Sequence, residues 1–495
     1  MSNIPWTFSY QKLGKPFYNE DIPQGVSDPQ LIIANKSLAE EVGLSGVFKV
    51  DDDAAEFFSG NKRLAGAMPI AMAYSGHQFG HFSPQLGDGR AVLLGSLKTS
   101  SKIEIDIQLK GSGRTAYSRR GDGRSALGPV LREYILSEAM NNLGVSTTRA
   151  LAAVTTGDEV LREGYLPGGI ITRVSNSFVR VGSFQFFSSR NDSESVKRLA
   201  DYVIARNYSD IALDENRYVN LLKAVLEKQA ILIAKWMGLG FIHGVMNTDN
   251  MSICGETIDY GPCAFMDEFD FDKKFSYIDD HGRYAYSNQP QIALWNLSRF
   301  AESILSLLAT EQDEAIGIAE QELNLFPELY TKYWIKEFSQ KLGVANIANG
   351  NKEVKILADG LLNLMHQSKA DFTQTFYLLS KLQNKESHDD IQLVKLFSSE
   401  SNIKEWLIQW RLIIAENSIE EAMRQEQMIK SNPVIIPRNH QVEKVIRAAE
   451  DENDFEPFYR LNQVLETPFT YDKIKEDYIV TPTERDKISQ TFCGT

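Results

Sequence analysis

Three cysteines in 495 residues (Cys254, Cys263 and Cys493) are too few for a disulfide framework, so the fold must rest on its apolar core. A reducing cytosol is the expected setting. Positive charge is also in deficit: Lys and Arg total 52 against 66 Asp and Glu, a formal −14, and a surface of that sign repels nucleic acid and anionic membranes alike. Neither partner is expected. The longest stretch free of Asp, Glu, Lys and Arg runs from Leu64 to Gly87, but Pro69, Ser75, His77, Gln78, His81 and Gln85 within it would go unsatisfied in hydrocarbon. No segment reads as a membrane span. The N-terminal MSNIPWTFSYQKLGKPF has neither the basic and apolar regions of a secretory leader nor the character of a transit peptide. Internal repeats and low-complexity tracts are absent.

What remains is an ordinary globular composition, 43% hydrophobic and 10% aromatic, with a length that allows about three units or one elaborated two-lobed enzyme. Strand signals come first. AVLLGSLKTSSKIEIDIQLK (91–110) reads as an apolar run, a turn, and an alternation at Ile103, Ile105, Ile107 and Leu109, which predicts a hairpin ending at Lys110. Pro129 then opens a helix with Leu131, Tyr134, Ile135 and Ala139 on one stripe, Glu133 near its start and Gly144 as its stop. Short strand-like runs return over 149–188, FVRVGSFQFF among them, and from about 192 the pattern is helical. Leu221–Leu239 is a long periodic helix, followed by a loop, short hairpin, loop pattern to Gly261. Helices are expected at roughly 293–325, 328–342, 352–366, 370–384, 403–430 and 440–450.

Against the acidic background, residues 87–124 carry eight basic groups and four acidic ones. Two GDGR tetrapeptides, Gly87–Arg90 and Gly121–Arg124, flank a GSGR at Gly111–Arg114. Glycine lets backbone N–H groups close on an anion and arginine offers a planar fork to phosphate oxygens, so the cluster points to polyphosphate. An isolated copy would read first as a hairpin turn beside a surface Arg; three within one basic island shift the reading to phosphate. Far along the chain, HGVMNTDN (243–250) precedes Asp259-Tyr-Gly261. An amide oxygen from Asn250 and a carboxylate from Asp259 are hard donors suited to Mg²⁺ or Mn²⁺ shared with phosphates; the alternative is that both merely cap turns. His77 and His81 lack a third ligand for zinc, and His243 reads as structural.

The order of these parts (Gly-rich loop, strand ending in Lys110, helix carrying Glu133, His-x-x-x-x-x-x-Asn, Asp-x-Gly) is similar to the protein-kinase signature set. One departure bears on mechanism. Val245 stands where kinases place the catalytic Asp, and valine cannot accept a proton. More specifically, AYSGHQFGHFSPQLGDGRAVLLG, LKGSGRTAYSRRGDGRSALGPVLREYILSEAM, HGVMNTDNMSI, DYGPCAFMD and NPVIIPRNHQVEKVI resemble the selenoprotein O family, also called the YdiU family, from about residue 5 to the C-terminus.

The resemblance implies an α+β, two-lobed protein-kinase-like fold: a sheet-rich nucleotide-binding lobe (1–188), a helical lobe with the metal-binding loop (189–384) and a C-terminal helical extension (385–495). It implies a protein adenylyltransferase that binds ATP reversed and moves AMP to Ser, Thr or Tyr hydroxyls of proteins, itself included, releasing pyrophosphate; UMP transfer from UTP is associated with bacterial relatives. Carried over residue by residue, Gly87, Gly89, Arg90, Lys110, Asp122, Gly123, Arg173, Arg180 and Asp259 contact nucleotide. Glu133 partners Lys110, Asn250 and Asp259 hold Mg²⁺ or Mn²⁺, and Asp249 is the proton acceptor or a positioning group. Cys493 is the family's candidate redox residue, with Cys263 the nearest partner. The rivals are a γ-phosphoryl kinase and an inactive nucleotide-binding pseudokinase scaffold. A cytoplasmic monomer is expected.

Overall fold

The computed structural model describes residues 4–344, 351–416 and 419–491. Eight strands form one antiparallel sheet: β1 (Tyr18–Glu20), β2 (Gln30–Ala34), β3 (Ile70–Met72), β4 (Ala91–Lys98), β5 (Glu104–Lys110), β6 (Ser125–Ala126), β7 (Arg149–Leu161) and β8 (Tyr165–Ser175). Their order is β1-β3-β4-β5-β8-β7-β2, with β6 paired to β8. The expected hairpin is β4–β5, with Ala91 opposite Lys110. It starts one residue later than the alternation suggested, because Lys102 takes a positive φ of 64° and leaves Ile103 exposed in the turn.

Alternation along β5 sends Ile105, Ile107 and Leu109 to one face, where they pack with Leu94, Leu97, Leu151, Val154 and the helix Asp51–Phe58. The acidic run Asp51–Asp53 is that helix's first turn, where its charge suits the helix dipole. The opposite face of β5 is polar yet does not meet water. Asp106 and Gln108 are buried, because this face is turned toward the helical part of the chain.

Helix α1 (Leu127–Asn142) carries Glu133 and is buried on almost every side rather than along one stripe. The sheet covers one flank; the C-terminal helices α6 (Asn439–Glu452) and α7 (Glu456–Leu465) cover another, with Val442, Val445, Ile446, Phe458 and Leu461 against Leu131, Tyr134 and Ile135. Further bonds fix the arrangement: Gly128 N–H donates to Glu450 Oε1 at 2.8 Å, and Asn142 Nδ2 to the Leu465 carbonyl at 3.1 Å. The C-terminal segment is thus part of the core around α1.

Two readings need correction. FVRVGSFQFF is not a strand: Val181–Ser188 is helix α2, its start marked by the Arg180 N–H donating to Ser183 Oγ. A fully buried apolar run has no exposed face to set a period, so alternation cannot distinguish helix from strand there. The sheet therefore ends at Ser175, and α2 packs on the helical side against α4 (Gln289–Ser303) through Phe184 and Phe300. Nor is there a short hairpin between Asn250 and Asp259. Its two arms are tied elsewhere, Ser252 bridging to Arg180 and Thr257 to Thr147 around a turn at Gly255.

Helix α3 (Arg217–Leu239) ends at Gly240 in the left-handed region, and α5 spans Phe326–Leu342. The expected helix over 293–325 is three pieces, 289–303, 305–308 and 312–324, and that over 403–430 is two, 400–416 and 421–429. No helix among the described residues is long and apolar enough to cross a membrane.

Phe458 is fully buried with its ring 5.6 Å from that of Tyr134. Phe458→Ala should cost about 3–5 kcal/mol, read as a lower denaturation midpoint. An unchanged midpoint would show that the extension is not part of this core.

Candidate active site

The polar face of β5 places Lys110 at the strand's end, opposite Ile171 on β8, while Gln108 lies opposite Arg173. Across from them α1 presents Glu133. Lys110 Nζ donates to Glu133 Oε2 at 2.7 Å, and Arg173 Nε donates to Glu133 Oε1, so one carboxylate is shared by two cations. Arg173 spends its remaining donors on Gln108 Oε1 at 3.3 Å and Asp259 Oδ1 at 2.7 Å.

Asp259 comes from the helical part of the chain, on a loop whose backbone takes φ +61° at this residue, a conformation that side chains other than glycine rarely adopt. Its second oxygen accepts from Arg180 Nη1 at 2.5 Å, and Lys110 Nζ stands 3.9 Å from the first. Burial alone would raise the Asp259 pKa, but Arg180, Arg173 and Lys110 together hold it well below the ordinary carboxylate range. The same contest at Glu133 is won by Arg173 and Lys110. Lys110 is shifted downward by burial and by Arg173.

Arg173 and Arg180 are 2% and 3% exposed. A lone Arg in a strand-like run ordinarily faces solvent, and no local signal marks these two otherwise, because their burial depends on partners 40 or more residues away. Arg180 also donates to the Asp249 carbonyl at 2.7 Å and lies 4.6 Å over the Tyr74 ring, while its Nε has no protein partner.

These groups line one cavity of about 950 Å³, together with Gly87, Gly89, Arg90, Asp122, Gly123, Asp249 and Asn250. All twelve residues singled out from the sequence therefore border the same space. The Gly-rich segments serve it partly by packing. Gly87 has φ +75°, and a Cβ there would lie 2.3 Å from the Tyr117 ring; a Cβ on Gly123 would lie 2.1 Å from the Gly113 carbonyl oxygen. Thr115 Oγ1 donates to the Asp88 carbonyl at 2.6 Å and Ser118 Oγ to that of Gly89, tying the first GDGR turn to the segment that follows the GSGR. The arginines of the island differ in use. Arg124 donates to the carbonyls of Gln24 and Gly25, and Asp122 accepts two bonds from Arg162.

Asn250 Nδ2 donates to the Val245 carbonyl at 3.0 Å, an orientation that reserves Oδ1 as its acceptor. Asp259 uses one acceptor site on each oxygen for arginine, and a carboxylate oxygen has a second. The pair is all hard oxygen and only two ligands strong, which fits a Mg²⁺- or Mn²⁺-type ion completed by water and phosphate. The Val245 side chain, buried beside them, offers no acceptor. Asp249, 6% exposed, receives Gln78 Nε2 on Oδ2 at 3.0 Å, and burial raises its pKa to about 6. His243 does not line the cavity: its Nδ1 accepts from Val245 N–H at 3.4 Å, its Nε2 meets the Ile258 carbonyl at 2.9 Å and its ring stacks on Trp236. His77 pairs with Gln185 at 2.9 Å.

Asp88 was missed. It is 2% exposed, accepts from Met72 N–H at 3.1 Å and Gln108 Nε2 at 3.2 Å, and burial lifts its pKa to about 6. The only signal was its place inside a GDGR, where an Asp also suits a turn. Cys263 is fully buried, and Cys493 lies outside the described residues.

Removing Glu133 strands Lys110 and Arg173 without their shared anion, so Glu133→Ala should cost roughly 3–5 kcal/mol in a denaturant titration. Glu133 and Asp259 have depressed pKa values, so their stabilisation is complete above the unfolded values of 4.5 and 3.8 and is lost as pH falls through the folded ones. Asp259→Asn should therefore flatten the loss of stability below about pH 4, measured as denaturation midpoint against pH; an identical acid limb would contradict the assignment.

Against known proteins, the chain matches the family described as Protein adenylyltransferase SelO over residues 1–466. A relative from Bradyrhizobium sp., named Protein nucleotidyltransferase YdiU, is 49% identical over 494 residues, covering 100% of this chain and 99% of that protein. Proteins of the same name from Anoxybacillus flavithermus and Rhizobium meliloti are each 48% identical, the first over 100% of both chains and the second over 98% of both.

Proposed function

We infer, from the fact that the chain belongs to the SelO family, that it is a protein nucleotidyltransferase which moves AMP from ATP to hydroxyl groups of proteins. The observation that carries this reading is the single cavity in which three cations, Lys110, Arg173 and Arg180, surround the Asp259 carboxylate. Such a site can take a triphosphate by exchanging part of its internal ion pairing for phosphate oxygens. A two-lobed, kinase-like arrangement is supported by the same parts: a sheet lobe ending in Lys110, α1 bringing Glu133, and a helical lobe supplying Asn250 and Asp259, with the C-terminal helices as an extension.

In this reading Arg180, with Nε unpartnered, and Lys110 hold the terminal phosphates deep in the cavity, so that the α-phosphorus faces the opening. Arg173, fully engaged by Glu133, Gln108 and Asp259, fixes the geometry of the group and contributes its charge. The turns around Gly87, Gly89 and Gly123, with Arg90 and Asp122, border the nucleotide. A bound Mg²⁺ or Mn²⁺, held by Asn250 and Asp259, would neutralise charge developing between the α- and β-phosphates. The acceptor oxygen attacks the α-phosphorus in line, the bond to the α–β bridging oxygen breaks, pyrophosphate leaves, and the hydroxyl proton passes to Asp249.

Asp249 suits that task better than an exposed carboxylate would. A pKa near 6 brings its basicity closer to neutral pH while leaving it mostly ionised there. Ser, Thr and Tyr hydroxyls, including the chain's own, are the acceptor class, and UTP is the competing donor. The small cysteine count fits a cytoplasmic protein, proposed here as a monomer. Neither a γ-phosphoryl kinase nor an inactive scaffold gains support: the named relatives are nucleotidyltransferases, and Val245 removes the kinase base.

Incubation with metal and α-phosphate-labelled ATP should label protein, whereas γ-labelled ATP should release its label as pyrophosphate. Asp259→Ala should abolish the α-label. Retention of γ-label on protein, or near-normal α-labelling by the variant, would overturn the reading.

A further inference from the structure

Between Tyr74 and Leu86 a small hairpin leaves the sheet lobe and reaches the loop that carries Asp249. Gly76–Gln78 pairs with His81–Ser83, and Phe79 and Gly80 make its turn with φ of +52° and +86°. Three successive residues of the hairpin, His77 to Phe79, bond to three successive residues of the loop. His77 N–H donates to Thr248 Oγ1 at 2.7 Å, Gln78 Nε2 to Asp249 Oδ2 at 3.0 Å, and Phe79 N–H to Asn247 Oδ1 at 3.1 Å.

The outer two contacts use the hairpin's backbone and are sufficient to dock it. The middle one is different, because it spends a long side chain on a group that the packing already surrounds. A Cβ on Gly76 would lie 2.4 Å from Asp249 Oδ1, so the strand passes against the carboxylate with only a hydrogen in between. That Oδ1 is buried and has no protein donor, while Oδ2 has one. A purely structural tie would satisfy both oxygens or use a neutral pair, since a half-satisfied buried carboxylate is costly.

We propose that Gln78 is the positioning residue of Asp249: its amide holds Oδ2 and, with Gly76 packed against Oδ1, fixes the rotamer in which the carboxylate meets the acceptor hydroxyl. This rests on the nucleotidyl-transfer reading, in which Asp249 takes that proton. An amide N–H can donate to a carboxylate but cannot compete with it for the proton, so Gln78 directs the transfer without taking part in it. The hairpin belongs to the sheet lobe and the loop to the helical one, so the contact also makes the alignment of Asp249 depend on the two lobes being closed on each other.

The test is steady-state transfer of α-label from ATP to the full-length chain and to a hydroxyl-rich unstructured protein, with Mg²⁺ or Mn²⁺ present, for wild type, Gln78→Met and Gln78→Glu. Methionine keeps the length and removes the donor; glutamate keeps the shape and sets a carboxylate against Asp249. Both should lower kcat by roughly 10–100-fold, as loss of an orienting partner does elsewhere, while KM for ATP, equilibrium ATP binding and the melting temperature stay near wild type. A kcat within about twofold of wild type, or a loss of ATP affinity parallel to the loss of kcat, would overturn the proposal, as would failure of both variants to fold. A wild-type protein that transfers no α-label would instead remove the underlying reading, and the two failures are distinguished by that control alone.

Discussion

The Asp259 carboxylate, gripped by Arg173 and Arg180 with Lys110 close by, is the contact on which the rest of the architecture depends. It joins the sheet-bearing part of the chain to the helical part through charge. Buried ion pairs of this kind are seldom net stabilisers, since removing charge from water costs several kcal/mol per ion and the pair must recover it. An apolar substitute of equal volume could hold these segments together as well. It could not exchange its internal anions for a triphosphate, and that exchange is what the proposed chemistry requires.

The surrounding structure keeps those charges in place. Helix α1 cannot slide, because the sheet lies on one side and helices α6 and α7 on the other. The tie is polar as well as apolar: Arg132, beside Glu133, donates to the Cys263 carbonyl at 2.7 Å and to Asn439 Oδ1 at 2.6 Å. One guanidinium therefore links α1, the segment just past Asp259 and the start of α6. Next to Asn439, Arg438 sits between Asp371 and Asp267 and anchors the same helix to the segments that carry them. The string NPVIIPRNHQVEKVI thus acts at a distance from the cavity, by holding the frame on which Glu133 and Asp259 stand.

Several features of the site were legible in the sequence because they are local. The β4–β5 hairpin follows from two-residue alternation and a polar turn, and α1 from an apolar run closed by Gly144. The glycine-rich turns are recognisable because only glycine fits beside Tyr117 and Gly113. Asn250 and Asp259 stood out as hard donors a short distance apart. What failed also has a local cause. Val181–Ser188 is buried all round and so shows no period, and the residues between Asn250 and Asp259 pair with Arg180 and Thr147 instead of with each other.

Composition and pattern by themselves determined that this is a core-stabilised, acidic, mixed helix and sheet protein with one basic, glycine-rich exception near residue 100. They also determined which residue types are available for phosphate and metal. Only the tertiary structure decided that Arg173 and Arg180 turn inward, that Asp88 is buried, and that Gln78 meets Asp249. The reason is physical. Alternation, capping and glycine conformation act over a few neighbouring residues and leave a mark in the chain, whereas the burial of a charge is set by partners that the fold brings from far along it.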